Sequence, residues 1–132
     1  MDLASRQARF QQADLYVVIT EAFCDGRDGV EVLDACLRAG VRLVHFREKH
    51  ASAQVLVEKG RAFAERCQEA GALLIVNDRV DVALAIGADG VHLGQDDLPV
   101  ADARRIAPEL LVGASSHDLD EALAAQSAGA TY

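Results

Sequence analysis

Short apolar runs alternate with longer segments of mixed polarity along the chain. The runs are rich in Val, Ile and Leu and too short for free-standing helices, so they predict five strands, over residues 15–20, 43–46, 73–76, 90–93 and 110–114. The first run, LYVVIT, is almost continuously apolar, which is typical of a strand buried on both faces. Caps at Asp28, Ser52 and Asp118 begin helices between the strands, and residues 1–14 predict a polar arm or helix ahead of the first strand.

Glycines follow the predicted helices at regular places. Gly40, Gly71, Gly87 and Gly129 each come directly after a helical segment and precede an apolar run or its beginning. A glycine just past a helix end accepts the left-handed conformation that turns the chain towards the next strand. Since no hairpin signal interrupts this alternation, the sequence predicts an α/β fold with a parallel sheet and right-handed crossovers.

Two closures of such a sheet compete. An open, doubly wound sheet of five strands is complete at this length, whereas a (β/α)8 TIM barrel needs eight strand–helix units and about 250 residues. The last five residues, AGATY, repeat the helix exit and begin a further strand. We therefore expect residues 1–132 to form a single, partial TIM-barrel domain with only about the first five βα units, truncated towards the C-terminus.

Composition and charge narrow the class of partner. The 132 residues carry a formal net charge of −8, which argues against a nucleic-acid partner because such proteins need a basic face. The three cysteines match neither a zinc pattern nor an even disulfide set, so we expect reduced thiols. The N-terminus lacks the apolar core of a signal peptide and no run reaches membrane-spanning length, so we expect a cytoplasmic protein without a membrane partner.

Polar residues gather after the predicted strands, at the edge where parallel α/β folds carry their active sites. His45, Arg47 and Lys49 alternate along and beyond the second strand, so they form one largely cationic row. Arg and Lys together suit phosphate or pyrophosphate oxygens. The alternative is a solvated strand end in which Glu48 pairs with a helix, and His45 by itself suggests a packed histidine rather than a base.

Two carboxylates follow the next two strands. Asp78 and Asp97 are expected to bracket one hard cation, and Mg²⁺ takes one or two carboxylates together with substrate phosphate oxygens. As alternatives, Asp78 could cap a helix and Asp97 could be an acidic residue ahead of the helix that Pro99 opens. Ser115, before the last helix, is a candidate donor to an anion or an ordinary loop serine. No residue is predicted to be a catalytic acid, base or nucleophile.

Three motifs carry a family resemblance. HFREK (45–49), NDRVDVALAIGADGVHLGQDDLPVADAR (77–104) and GASSH (113–117) closely resemble thiamine phosphate synthase, in order and spacing, over nearly the whole chain from about Leu15. The resemblance implies a (β/α)8 barrel enzyme, a transferase of thiamine biosynthesis. Such an enzyme couples hydroxymethylpyrimidine pyrophosphate to thiazole phosphate with Mg²⁺, and it releases pyrophosphate before the thiazole nitrogen captures a pyrimidine carbocation.

The resemblance also implies roles for individual residues. Arg47, Lys49, Asn77 and Ser115 would hold the pyrophosphate. His45 stands where the family usually has a substrate-contacting Gln, and so it is expected to bind substrate. The metal ligands would be Asp78 and Asp97.

Two other functions remain open at this stage. One is a thiazole tautomerase, a relative with the same barrel that needs no metal. The other is a non-catalytic partial barrel that keeps pyrophosphate or Mg²⁺ affinity. The resemblance implies three further βα units that would bring a lysine-bearing loop and glycine-rich loops, and without them open sheet edges predict self-association.

Overall fold

The computed structural model describes residues 1–132, in which six α-helices alternate with five strands. The elements are α1 (Leu3–Gln12), β1 (Tyr16–Ile19), α2 (Gly29–Arg38), β2 (Leu43–Phe46), α3 (Ala53–Ala70), β3 (Leu73–Asn77), α4 (Val80–Ile86), β4 (Gly90–Leu93), α5 (Val100–Ile106), β5 (Leu111–Ala114) and α6 (Leu119–Ser127). A short 3₁₀ turn at Glu21–Phe23 follows β1. This alternation confirms the α/β fold predicted from the apolar runs.

The five strands form one parallel sheet in the order β1-β2-β3-β4-β5. Each strand pairs with the next along the chain, so Val44 of β2 lies between Val17 and Leu74 in the ladder. This order without a reversal agrees with the first part of a TIM barrel rather than with a doubly wound sheet, in which the strand order reverses.

The prediction for β1 was wrong in one respect. The strand covers Tyr16–Ile19, and only Ile19 is buried, whereas Val18 is 52% exposed. β1 has a neighbour on one edge only, which is β2, and the concave face above Val18 is open. An apolar run predicts a buried strand only when both faces are covered.

The core has a large and a small part on the two faces of the sheet. On the convex face, alternate strand residues such as Val44, Phe46 and Leu74 pack against the helices in a cluster of 24 buried residues. On the concave face, a cluster of four buried residues packs against the first turns of the chain, including Phe10 of α1; it comprises Leu43, Leu73, Ile75 and Leu111.

The N-terminal segment closes the amino end of the sheet. Asp2 caps α1 by accepting the Ser5 amide, and Arg6 forms an ion pair of 3.3 Å with Asp89, which precedes β4. Arg9 donates to the Gly71 carbonyl after α3. Helix α1 therefore covers the amino ends of the strands on the concave face and leaves their carboxyl ends uncovered.

The last residues lie beside β5. The Thr131 amide donates to the Val112 carbonyl at 2.6 Å, and the Tyr132 carbonyl accepts the Ala114 amide at 3.0 Å. The Arg104 guanidinium bonds to the Gly129 carbonyl and holds this segment in place. These residues therefore lie alongside β5 and bond to its backbone where the sequence predicts the beginning of a further strand, but they form no strand of the sheet.

Helix boundaries follow the local signals with one difference. Asp28, Ser52 and Asp118 each accept a backbone amide at the start of their helices, as predicted. Pro99 stands one position earlier than predicted, because it is the cap of α5 and the helix itself begins at Val100. None of the helices combines the length and the hydropathy needed to cross a lipid bilayer.

Candidate active site

The predicted site residues lie in or directly after β2, β3, β4 and β5. The carboxyl ends of these parallel strands therefore bring them together at one edge of the sheet. Arg47 and Lys49 follow β2 directly, and neither side chain makes a hydrogen bond or an ion pair in the structure. Their positive charges both lower the pKa of Asp78, which follows β3, so the three groups share one electrostatic environment. The cationic side chains of this edge are therefore available to an anion.

Asp78 and Asp97 form a pair of like charges at this edge. Burial is the largest cause of the raised pKa of Asp78, and the neighbouring Asp97 carboxylate raises that pKa further. Opposing effects from Lys49 and Arg47 are smaller. A carboxylate that is held partly buried beside another carboxylate carries negative charge that a bound cation would stabilise.

The structure excludes the structural alternative for Asp78, whereas Asp97 keeps the position ahead of α5 that its alternative describes. The cap of α4 is Arg79, without a side-chain cap bond, so Asp78 does not cap the helix. Asp78 adopts a left-handed φ of 61°, and its amide donates to the His92 carbonyl at 2.8 Å. Asp97 lies before the first turn of α5, and one of its oxygens accepts the Gly94 amide at 2.7 Å. The carboxylate of Asp78 therefore makes no cap bond to α4, and the side chain that it faces is that of Asp97.

The donor set suits one class of metal ion. No group of three or more His, Cys, Asp or Glu side chains is placed to hold a metal, so the chain has no cage made of protein ligands alone. Mg²⁺ does not need one, because it binds through one or two carboxylates, water and substrate phosphates. Asp78 and Asp97, beside two free cationic side chains, match that requirement.

His45 lies deeper than Arg47 and Lys49, inside a hydrogen-bonded chain. Its Nε2 atom is 3.0 Å from Asn77 Oδ1, and its Nδ1 atom is 3.2 Å from the Tyr16 hydroxyl. With Asn77 oriented in this way, Oδ1 can only accept, so Nε2 carries the proton and Nδ1 accepts from Tyr16. Burial lowers the pKa of His45 to about 4. The predicted cationic row therefore contains a neutral histidine, and only Arg47 and Lys49 are charged.

Asn77 remains available to a ligand through its other amide atom. Its Oδ1 atom is used by His45, whereas its NH₂ group makes no hydrogen bond in the structure. β3 ends at Asn77, next to Asp78. The amide can therefore donate to an anion at the same edge while the histidine fixes its orientation.

Ser115 belongs to a second polar group. Its hydroxyl is 2.8 Å from His92 Nε2, and its backbone carbonyl accepts a hydrogen bond of 2.8 Å from the side-chain amide of Gln95. The other nitrogen of His92, Nδ1, is buried without a hydrogen-bond partner. Ser115 lies three residues before Asp118, the cap of α6, so it is held by β4 rather than by the helix N-terminus.

Three contributors to this site were not predicted from the sequence. The sequence predicts Tyr16 only as part of an apolar strand. Its hydroxyl, which lies in register with Leu43 on the concave face, is the polar group of that strand that could have indicated a role in the site. Tyr132 contacts the Tyr16 hydroxyl at 2.8 Å, across a sequence separation that no local pattern reveals. The sequence suggests a role for Glu48 only in the alternative interpretation, as a partner of a helix; in the structure it accepts the Glu21 amide of the 3₁₀ turn after β1.

Comparison with known proteins gives consistent similarities. The sequence profile described as thiamine monophosphate synthase matches residues 15–132. The chain is 49% identical over 118 residues to a Chloroflexus aurantiacus protein named thiamine-phosphate synthase, which covers 89% of this chain and 55% of that protein. A Moorella thermoacetica protein of the same name is 48% identical over 122 residues, covering 92% of this chain and 58% of that protein.

A solved structure agrees with these sequence similarities. The thiamine phosphate pyrophosphorylase from Pyrococcus furiosus matches with a TM-score of 0.85 and 39% identity, over 93% of this chain and 59% of that chain. The present chain spans about half the length of the curated relatives it matches.

Proposed function

The chain belongs to the thiamine monophosphate synthase family, and we propose that it provides the pyrophosphate-binding part of a thiamine phosphate synthase. The reaction would couple hydroxymethylpyrimidine pyrophosphate with thiazole phosphate to give thiamine phosphate and pyrophosphate. One observation carries this proposal. Two cationic side chains without partners lie in the same environment as two carboxylates, one of which has a raised pKa.

The anion would be held by two cations without partners and by two neutral groups that each contact a histidine. Arg47 offers a planar fork and Lys49 a compact charge, a combination suited to the oxygens of a pyrophosphate. The NH₂ group of Asn77 and the hydroxyl of Ser115 would add neutral donors, each oriented by a histidine. Orientation by fixed neighbours reduces the entropy that the site loses on binding.

Asp78 and Asp97 would hold Mg²⁺, which when bound neutralises part of the charge on the leaving pyrophosphate. The bond that breaks joins the pyrimidine methylene carbon to a pyrophosphate oxygen, and the electron pair leaves with that oxygen. The thiazole nitrogen then gives its lone pair to the same carbon. Arg47 and Lys49 stabilise the negative charge that develops on the departing group.

The neutral residues of the concave face suit the other end of the substrate. His45 is uncharged at neutral pH because burial lowers its pKa to about 4. Both ring nitrogens of His45 are held by Asn77 and Tyr16, so the neutral imidazole would contact a heteroaromatic ring by packing, without adding a charge next to a cationic carbon. This supports a substrate-binding role for His45 in place of the glutamine that the resemblance leads one to expect.

The proposal has a binding part and a turnover part, since the chain spans about half the length of its curated relatives. The binding part concerns residues that are present and described. Turnover would also need groups for the thiazole phosphate, which no residue discussed above supplies. Binding without turnover would correspond to a partial barrel that retains pyrophosphate affinity, and metal-independent proton transfer would correspond to a tautomerase.

Calorimetric titration with inorganic pyrophosphate tests the binding part directly. We expect binding by the unsubstituted chain that requires Mg²⁺ and is lost in Asp78→Asn. The matched control is Asp14→Asn, an exposed carboxylate just before β1 at the opposite end of the sheet, which should bind like the unsubstituted chain. A folded chain that does not bind pyrophosphate at all, or an Asp78→Asn variant that binds equally well, would contradict the proposal.

A further inference from the structure

Glu48 lies between Arg47 and Lys49 in the sequence but is bonded elsewhere. Its Oε1 atom accepts the backbone amide of Glu21 at 2.7 Å, in the 3₁₀ turn that follows β1. Arg47 and Lys49 have no side-chain partner, so Glu48 is the member of this Arg-Glu-Lys segment whose side chain is fixed. Its bond joins the loop after β2 to the loop after β1.

The turn that receives this bond is itself firmly held. The carboxylate of Glu21 accepts the Gly29 amide at 3.0 Å, at the start of α2. Its other oxygen binds the Lys59 ammonium of α3 at 2.6 Å. Glu48 therefore attaches the Arg-Glu-Lys segment to a point that two helices already hold in place.

The backbone supports the same attachment. The Arg47 amide donates to the Ile19 carbonyl at 3.0 Å, which extends the β1–β2 ladder by one residue. β2 itself ends at Phe46, so beyond Arg47 the segment has left the sheet. The Glu48 side chain is then the next connection that limits where Lys49 can lie, apart from a turn bond from the Ala51 amide to the Glu48 carbonyl at 3.3 Å.

We propose that Glu48 is a positioning residue for the pyrophosphate site, acting through its bond to the Glu21 amide. This inference rests on the proposed function, because it assigns to Glu48 the placement of the two cations that would bind the anion. Glu48 touches neither substrate nor metal in this role. It holds the loop so that both cations face the same edge of the sheet.

Electrostatics and positioning predict opposite signs for the loss of Glu48. The Glu48 carboxylate is negative and stands next to two anion-binding residues, so its charge alone weakens anion binding. Removing that charge should tighten pyrophosphate binding if Glu48 does nothing else. If Glu48 positions the loop, its truncation should instead weaken binding, by about tenfold to a hundredfold as for other supporting residues around a site.

Three variants separate these effects in calorimetric titrations with inorganic pyrophosphate and Mg²⁺. Glu48→Ala removes both the charge and the acceptor, and we expect weaker binding. Glu48→Gln removes the charge but keeps an oxygen that can accept the Glu21 amide, and we expect binding at least as tight as in the unsubstituted chain. The control is Glu58→Ala, which removes an exposed carboxylate of α3 that lines the same surface cavity as Glu21 and Glu48, and it should have little effect.

A second pair of variants tests the bond from the donor side, in case Glu48→Ala does not fold. Glu21→Pro deletes the amide hydrogen, and proline suits the first position of a helical turn after the extended Thr20. Glu21→Ala keeps that amide and removes only the side chain. We expect Glu21→Pro to bind pyrophosphate more weakly than Glu21→Ala does.

The outcomes separate this inference from the function on which it rests. If the unsubstituted chain binds no pyrophosphate, the proposed function fails and this inference fails with it. If that chain binds but Glu48→Ala binds as tightly or more tightly, or Glu48→Gln is as weak as Glu48→Ala, only the positioning role is overturned. An equal affinity of Glu21→Pro and Glu21→Ala would overturn it as well.

Discussion

The Nε2 atom of His45 lies 3.0 Å from the Oδ1 atom of Asn77, and this contact fixes the protonation of the histidine. Because the amide oxygen only accepts, the ring donates from Nε2 and accepts from the Tyr16 hydroxyl at Nδ1. Protonation of Nδ1 would break the second bond and place a charge in a buried position. The concave face is therefore organised around a neutral ring.

This arrangement predicts a loss of stability in mild acid. The folded pKa of His45 is about 4 against an ordinary 6.5, so the unfolded chain binds the proton more readily between these values. Stability is full above the unfolded pKa and falls as the pH drops towards the folded one. We expect His45 to contribute a loss of about 2 kcal/mol in the free energy of unfolding between pH 7 and pH 5.

Urea denaturation of the unsubstituted chain and of His45→Gln at both pH values measures this contribution. Glutamine can still donate to Asn77 Oδ1 but does not titrate, so the pH dependence should be smaller in the variant. Some dependence should remain, because burial also lowers the pKa of His92. Identical pH profiles for the two proteins would show that His45 is not the group responsible.

Replacing Asp78 with asparagine should stabilise the chain at neutral pH. A carboxylate whose folded pKa is raised costs stability when ionised, and that cost is absent below its ordinary pKa of 3.8. We expect the free energy of unfolding of Asp78→Asn to be higher than that of the unsubstituted chain at pH 7, with no gain in strong acid. Asparagine also tolerates the left-handed backbone, which alanine would strain.

Chemical denaturation of Asp78→Asn between pH 7 and strong acid, with Asp14→Asn as the control, tests this expectation. Because calorimetry should show the same Asp78→Asn variant losing pyrophosphate binding, stability and binding would change in opposite directions. A variant that is less stable at pH 7 would indicate that Asp78 has a structural role.

Gly90 should not accept a methyl group. A Cβ atom there would lie 2.7 Å from Ile75 Cδ1 and 2.8 Å from the Leu111 carbonyl oxygen, and the backbone of β5 cannot move away easily. We expect Gly90→Ala to lose about 1–3 kcal/mol of unfolding free energy. In Gly29→Ala, the new Cβ has its nearest contact at 3.6 Å, and the variant should be unchanged or slightly more stable. Urea denaturation of the two variants measures the contrast, and equal stabilities would refute it.

The ion pair between Arg6 and Asp89 should contribute more than the exposed pairs do. Their side chains are 13% and 17% exposed, and Asp89 also accepts the Leu74 amide. A double-mutant cycle with Arg6→Met and Asp89→Asn should give a coupling energy of about 1–2 kcal/mol. The exposed pair of Asp102 and Arg105 serves as the comparison and should couple by about 0.5 kcal/mol or less. Similar couplings for both pairs would contradict this expectation.

The open edge of β1 should promote self-association. A groove of about 430 Å³ runs along this strand, and Phe23, which lines it, is 82% exposed. Because an unpaired edge with apolar neighbours favours intermolecular contact, we expect sedimentation velocity to show association that increases with concentration. Phe23→Ser should reduce it, whereas Leu84→Ser, an exposed position on α4 away from the edge, should not. A monomer at every concentration would contradict this expectation.

The order of strands and helices followed from the sequence because it is written locally. Short apolar runs mark the strands, and a left-handed glycine such as Gly71 or Gly87 marks a helix end. The exposure of Val18 could not be read in the same way. It depends on what covers the concave face, which is a property of the assembled sheet rather than of the run itself.

The same distinction separates the site contacts that the sequence predicts from those that only the assembled sheet reveals. Asp78 and Asp97 follow strands, and strand ends meet at one edge, so their proximity could be predicted from their positions alone. The contact of Tyr16 with His45 depends on the register of β1 against β2 and on the Tyr132 hydroxyl beyond it. The bond of Glu48 to a main-chain amide was also hidden, because a sequence shows which side chains can accept but not which amide lies within reach.

The pairing of the two tyrosines gives the chain a built-in spectroscopic probe. Tyr16 and Tyr132 are its only tyrosines, and it has no tryptophan. Their hydroxyls are 2.8 Å apart, burial raises the pKa of Tyr16 to about 12, and that of Tyr132 is also raised. Phenolate absorbance in an alkaline titration, and tyrosine circular dichroism at neutral pH, therefore report on one place in the molecule. They show, without any label, whether the last residue of the chain is docked against the first strand.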